Sequence, residues 1–145
     1  KISLMNPTKI KGLVTIAAAP DFTTRLWKKE LNKLQKNEIL KKGFTNIPSE
    51  YDSNGYIITK RNIEQGNKNL ILTNKKDLFS LPLKLIHGDK DEAVSWKESL
   101  KIFKKSNNDN SELILIKNGD HRLSNKKQLK KILMIIQSLY QDCIS

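Results

Sequence analysis

The sequence has one cysteine, Cys143, so it can form no intrachain disulfide and no cysteine-based metal site. Arginine is scarce as well: Arg25, Arg61 and Arg122 are the only three. The formal net charge of +12 therefore rests almost wholly on lysines, and these are scattered over every segment. Recognition of phosphates and bases favours clustered charge and the bidentate guanidinium. The pattern instead reads as a solvated lysine surface, and no nucleic-acid partner is expected. No apolar run approaches the ~18 residues of a membrane span, so none is expected. Glycine is sparse, and no two of Gly12, Gly43, Gly55, Gly66, Gly88 and Gly119 stand four apart. That spacing excludes any G-x-S-x-G turn, the strained elbow that presents a nucleophilic serine.

What remains is enough for one domain. The chain is 145 residues long with 37% hydrophobic residues, which permits a packed core. It opens on Lys1 rather than methionine, as expected of a processed chain or a part of a longer one.

Three short apolar runs stand out. Residues 12–19 read Gly-Leu-Val-Thr-Ile-Ala-Ala-Ala and close at Pro20; residues 83–88 read Leu-Lys-Leu-Ile-His-Gly; residues 113–116 read Leu-Ile-Leu-Ile. Continuous rather than alternating runs of this length predict strands buried on both faces of a parallel sheet. The small side chains of Ala17, Ala18 and Ala19 would admit either a ligand or a packed helix at the strand's carboxyl end. A helix tail is expected before the first strand, over residues 1–11.

Between the first two strands lies a stretch too long for a simple crossover. A helix is expected from Thr23 or Thr24 to about Lys42, with Trp27, Leu31 and Leu34 on one face and Gly43 as its stop. That stripe suits ordinary packing, or the lining of an acyl or aromatic site. Turn residues follow from Asn46 to Gly55, then an interrupted helix over residues 56–72. The division expected is core over residues 1–20, a helical cap insertion over 21–80, and core again over 81–145.

Beyond the second strand, Ser95 and Glu98 suggest a capping box. A helix with Trp96, Leu100 and Phe103 on one face would follow. A last helix, residues 125–140, should cover the sheet with Leu129, Ile132, Leu133, Ile136, Leu139 and Tyr140.

Two strand ends carry chemistry. The loop after residue 88 offers Asp89, Asp91 and Glu92, and the loop after residue 116 offers His121. A carboxylate and a histidine at the carboxyl ends of parallel strands are two parts of a hydrolase triad, the acid holding the imidazole in one tautomer. Spacing alone does not choose among the three acids, which would also suit the start of a helix.

Read together, Leu85-Ile86-His87-Gly88-x-x-Asp91-x-x-Val94 and Gly119-Asp120-His121 resemble the acid and histidine motifs of α/β-hydrolases. The wider pattern includes residues 12–22, Pro48-Ser49-Glu50-Tyr51, Ile63-Glu64 and residues 116–124. It is similar to the branch containing the mitochondrial palmitoyl-protein thioesterase, also described as an acyl-glucuronide esterase, and its bacterial relatives. The resemblance implies the carboxyl-terminal half of an α/β-hydrolase parallel sheet with a helical cap insertion. It implies Asp91 as the triad acid, His121 as the base, and no cofactor. It implies an ester or acyl-thioester substrate, and a missing amino-terminal half of the same domain that supplies the serine. Ser53, Ser95, Ser99 and Ser124 do not fit the elbow. A bacterial member would be cytoplasmic and a eukaryotic one mitochondrial. The competing reading is a small binding module that keeps these features without using them.

Overall fold

The computed structural model describes residues 9–49, 52–73 and 79–144. It divides into two compact units, one from Lys1–Pro20 with Ile71–Ser145 and the other from Asp21–Leu70. Most of the helix tail expected over residues 1–11 lies outside the described residues; Lys9, Ile10 and Lys11 are not helical.

The first unit holds a three-stranded parallel sheet. Its strands are β1 (Leu13–Ile16), β4 (Leu83–Gly88) and β5 (Glu112–Ile116), in the order β1-β4-β5. The register pairs Leu13 with Leu83 and Ile16 with Ile86, then Lys84 with Glu112 and Gly88 with Ile116. All six residues of β4 are buried, as its largely apolar pattern predicts for a central strand. Alternation along β4 splits the core into two layers. Leu83 and Leu85 pack with Phe79, Leu81 and Ile102, while Ile86 packs with Ile116, Leu123 and Ile132. Ile102 belongs to α4 (Lys97–Phe103) and Ile132 to α5 (Lys126–Ile144), so the sheet carries a helix on each face.

Lys84 is the exception in β4. It is buried, and its ammonium lies 2.7 Å from Glu112 and 3.4 Å from Asp142 at the end of α5. Burial alone would push its pKa down and is the largest single influence. The bonds to the two carboxylates together outweigh it, and the pKa is raised.

Three expectations for this unit are corrected. Ser95 and Glu98 form no capping box: Trp96 occupies the cap without a side-chain bond, and Glu98 is paired with Lys101 at 2.6 Å. Strand β5 is an edge, so Leu115 remains 39% exposed instead of buried. Helix α5 covers the sheet with a narrower stripe, Gln128, Ile132 and Leu139, with Ile135 half-buried. Leu129, Leu133, Ile136 and Tyr140 form a second, exposed stripe one residue further round.

The second unit begins with α1 (Phe22–Arg25), which runs into a π-helical turn, Leu26–Glu30. The single helix expected here is broken: Leu31 is extended with ψ of 127°, and Asn32 starts a new helix, α2 (Lys33–Lys42). Asn32 and Gln35 bond each other's backbone N–H, a capping box that fixes the restart. The break separates Leu34 from Trp27 and Leu31 and leaves it 76% exposed. After Gly43 come β2 (Phe44–Ile47) and β3 (Tyr56–Thr59), an antiparallel pair where turn and helix were expected. Thr59 with Asn62 then caps α3 (Lys60–Lys68). Leu26, Leu31, Ile39, Ile58 and Ile63 form this unit's core.

Candidate active site

The site is assembled where β4 and β5 end side by side. Two glycines allow the approach. A methyl group on Gly88 would overlap the Gly119 carbonyl and stand 2.6 Å from the Asp120 oxygen; one on Gly119 would stand 3.0 Å from the Gly88 Cα. The backbones are then stitched together: Asp89 N–H donates to Ile116 O at 3.1 Å, and Lys90 N–H to Gly119 O at 2.9 Å.

The acid loop is shaped by its own carboxylate. Asp91 Oδ1 accepts from the Val94 N–H at 2.8 Å, closing a turn that buries Val94. The other oxygen, Oδ2, lies 2.9 Å from His121 Nδ1. The Asp91 side chain is fully buried, while that of His121 keeps 33% of its surface exposed. A carboxylate accepts only, so Nδ1 is the protonated nitrogen of His121.

The histidine loop is held as firmly. Asn118 takes a left-handed conformation, with φ of 54°. Asp120 Oδ1 accepts from the Leu123 N–H at 2.8 Å and holds Leu123 at φ of 47°. Leu123 is completely buried in the core beneath, which anchors the loop from which His121 projects.

The three acids left open by spacing occupy different places. Asp89 faces Lys117 at 2.9 Å, and that hydrogen bond holds its pKa below the usual carboxylate value against a smaller opposing effect of burial. Glu92 is exposed. Asp91 alone of the three is paired with His121.

Sequence reasoning placed His87 in the motif that carries Asp91 and gave it no role. This side chain is 0% exposed, with Nε2 at 2.9 Å from the Val94 carbonyl and 3.1 Å from Asp91 Oδ2. Its Nδ1 lies 2.7 Å from the hydroxyl of Ser99, which is equally buried. Ser99, His87 and Asp91 thus form a serine-histidine-acid line of their own. It is sealed from solvent at every member, so Ser99 can meet no substrate. The motif and the four-residue spacing of His87 and Asp91 say nothing of where a strand-end side chain points.

Ala18 packs into the core with Leu83 and Leu85, so at this residue the alanine run serves packing. Among the described residues, two clefts of about 230 and 220 Å³ lie within Asp21–Leu70 and share Trp27 and Asn67. Neither is lined by Asp91 or His121.

The chain is 30% identical to a protein from Agrobacterium vitis S4 provisionally described as a hydrolase. The two superpose with a TM-score of 0.84 over 92% of this chain and 51% of that one. The fold is that of the α/β-hydrolases, in their carboxyl-terminal half. The α/β-hydrolase domain-containing protein 10 from mouse is 29% identical with a TM-score of 0.81, covering 97% of this chain and 56% of that one. Est1E from Butyrivibrio proteoclasticus, at 18% identity and a TM-score of 0.76, shares the fold alone. Among curated proteins, the mitochondrial palmitoyl-protein thioesterase ABHD10 of Mus musculus is 29% identical over 137 residues, 94% of this chain. Its counterpart in Homo sapiens is 26% identical. The chain spans 46% of the mouse relative's length, so about half of the α/β-hydrolase to which it is similar. No family model matches.

Proposed function

We propose that Asp91 and His121 are the acid and base of a serine hydrolase that cleaves thioesters or carboxylic esters. The observation that carries this reading is the 2.9 Å bond from His121 Nδ1 to a fully buried Asp91 carboxylate, with the imidazole still partly open to solvent. Burial of the acid keeps water from competing for the bond, and the bond fixes the tautomer. Nε2 is then the nitrogen that takes a proton from a nucleophile and returns it to the departing thiol or alcohol. Asp91 stabilises the imidazolium formed in between.

The nucleophile and the oxyanion donors belong to a half of the domain upstream of this sequence. Two features support such a partner: β1 is an edge of the sheet, and α5 bears an exposed apolar stripe beside the one it buries. The Asp21–Leu70 unit falls between core strands in chain order, where such enzymes carry a cap. A eukaryotic protein of this kind would be mitochondrial, as its named relatives are. No helix among the described residues is long and apolar enough to cross a membrane.

The test is to read the coding sequence upstream of Lys1 and assay the complete gene product on acyl-thioesters and aryl esters. A G-x-S-x-G about 15 to 30 residues before Lys1, one helix away, together with turnover of either substrate class is expected. An open frame without that serine, or a pure protein inert on both classes, would favour the binding module instead.

A further inference from the structure

We infer that His87 is a positioning residue for the Asp91–His121 pair, acting through the Asp91–Val94 turn that carries the carboxylate. The inference rests on the hydrolase reading above and extends it to a residue that touches neither substrate nor nucleophile.

The geometry has three parts. The Asp91 carboxylate accepts from Val94 N–H on Oδ1 and from His121 Nδ1 on Oδ2, and His87 Nε2 stands 3.1 Å from that same Oδ2. One donor on each oxygen and a buried ring against Oδ2 leave the carboxylate little freedom to turn about its last bond. His87 also spans the acid loop, since its Nε2 faces the Val94 carbonyl as well as Asp91. It thereby ties the first and last residues of the turn that Asp91 closes.

The protonation pattern follows from the partners. The Val94 carbonyl and the carboxylate only accept, so Nε2 must carry hydrogen. In the neutral ring Nδ1 then accepts, and the Ser99 hydroxyl on α4 is placed to donate to it at 2.7 Å. Ser99 selects the tautomer of His87 in the manner of an outer partner behind a metal-bound histidine. The chain of command runs Ser99, His87, Asp91, His121, from a helix on one face of the sheet to an imidazole at its end. His87 points that way because β4 alternates: Leu83, Leu85 and His87 face α4.

A merely structural histidine would add to stability and nothing else. A positioning one alters the His121 bond and the chemical step without altering substrate affinity. Glutamine places an amide N–H close to where Nε2 stands; leucine fills the space and donates nothing.

The test compares wild type, His87→Gln, His87→Leu and Ser99→Ala in the complete gene product, by proton and ¹⁵N-histidine NMR and by steady-state kinetics. A sharp downfield Nδ1–H resonance, absent in His121→Asn, is expected in wild type and His87→Gln. In His87→Leu it should broaden or vanish while the melt stays cooperative. There kcat should fall about 10- to 100-fold, the cost of an ångström-scale misplacement, with KM unchanged and activity restored in His87→Gln. If His87→Leu does not fold, Ser99→Ala decides: a weakened resonance supports the role, and an unchanged one overturns it. An unchanged resonance and kcat in a folded His87→Leu would also overturn it. A wild type that hydrolyses nothing yet shows the predicted resonance pattern would sink the triad while supporting the positioning geometry.

Discussion

Asp91→Asn in the complete gene product is expected to lower kcat by about four orders of magnitude, and His121→Ala by more, with KM little changed. The asparagine keeps the shape of the acid but presents an amide N–H. His121 Nδ1 would then have to accept a hydrogen bond instead of donating one, and the proton would move to Nε2, where the base must be empty. Because acid and base act as a unit, the double variant should be no slower than His121→Ala alone. Steady-state kinetics on an activated ester checks both statements. Losses that multiply would mean that the two residues work independently.

Gly88→Ala should cost about 3 kcal/mol of stability, the upper end of overpacking penalties. The new methyl group meets backbone, the Gly119 carbonyl and Asp120 oxygen, and not the end of a flexible side chain. Relief requires β4 and β5 to separate where Lys90 N–H reaches Gly119 O. That movement carries Asp91 away from His121, so activity should be lost at temperatures where the variant remains folded. Gly43→Ala provides the contrast. Gly43 has φ of 89° with nothing within 4 Å, so alanine there meets backbone strain only, about 1 to 2 kcal/mol. It lies in the Asp21–Leu70 unit and should leave the site's chemistry intact. Denaturant unfolding beside kcat separates the two cases; a Gly88→Ala protein with native stability and activity would show that the strand ends are not tightly joined.

The parallel sheet was legible because β1, β4 and β5 are each short, mostly apolar runs, although only β4 is buried throughout. The strand ends were legible for the same reason, which put Asp91 and His121 at neighbouring loops before any geometry was known. Choosing Asp91 over Asp89 required a motif, since both acids follow the same glycine; the structure then shows Lys117 engaging Asp89. Elsewhere local pattern misled. The β2–β3 pair is built from two four-residue strands with Tyr56 and Ile57 exposed, so it showed neither clean alternation nor length. The long helix expected across Leu31 was defeated by Asn32, whose capping competes with helix continuation. Helix α5 has apolar residues on two adjacent stripes, and periodicity cannot say which stripe a short sheet will cover. His87 was given no role because that role depends on a hydroxyl twelve residues away on a helix.

The central claim is that Asp91 and His121 activate a serine elsewhere in the same domain. Labelling the purified complete gene product with a fluorophosphonate, followed by mapping of the modified peptide, tests this most directly. The account predicts modification of one serine, within a G-x-S-x-G segment upstream of Lys1, and near-complete loss of labelling in His121→Ala. No labelling in the folded wild type, or labelling that survives His121→Ala at the wild-type rate, would contradict it.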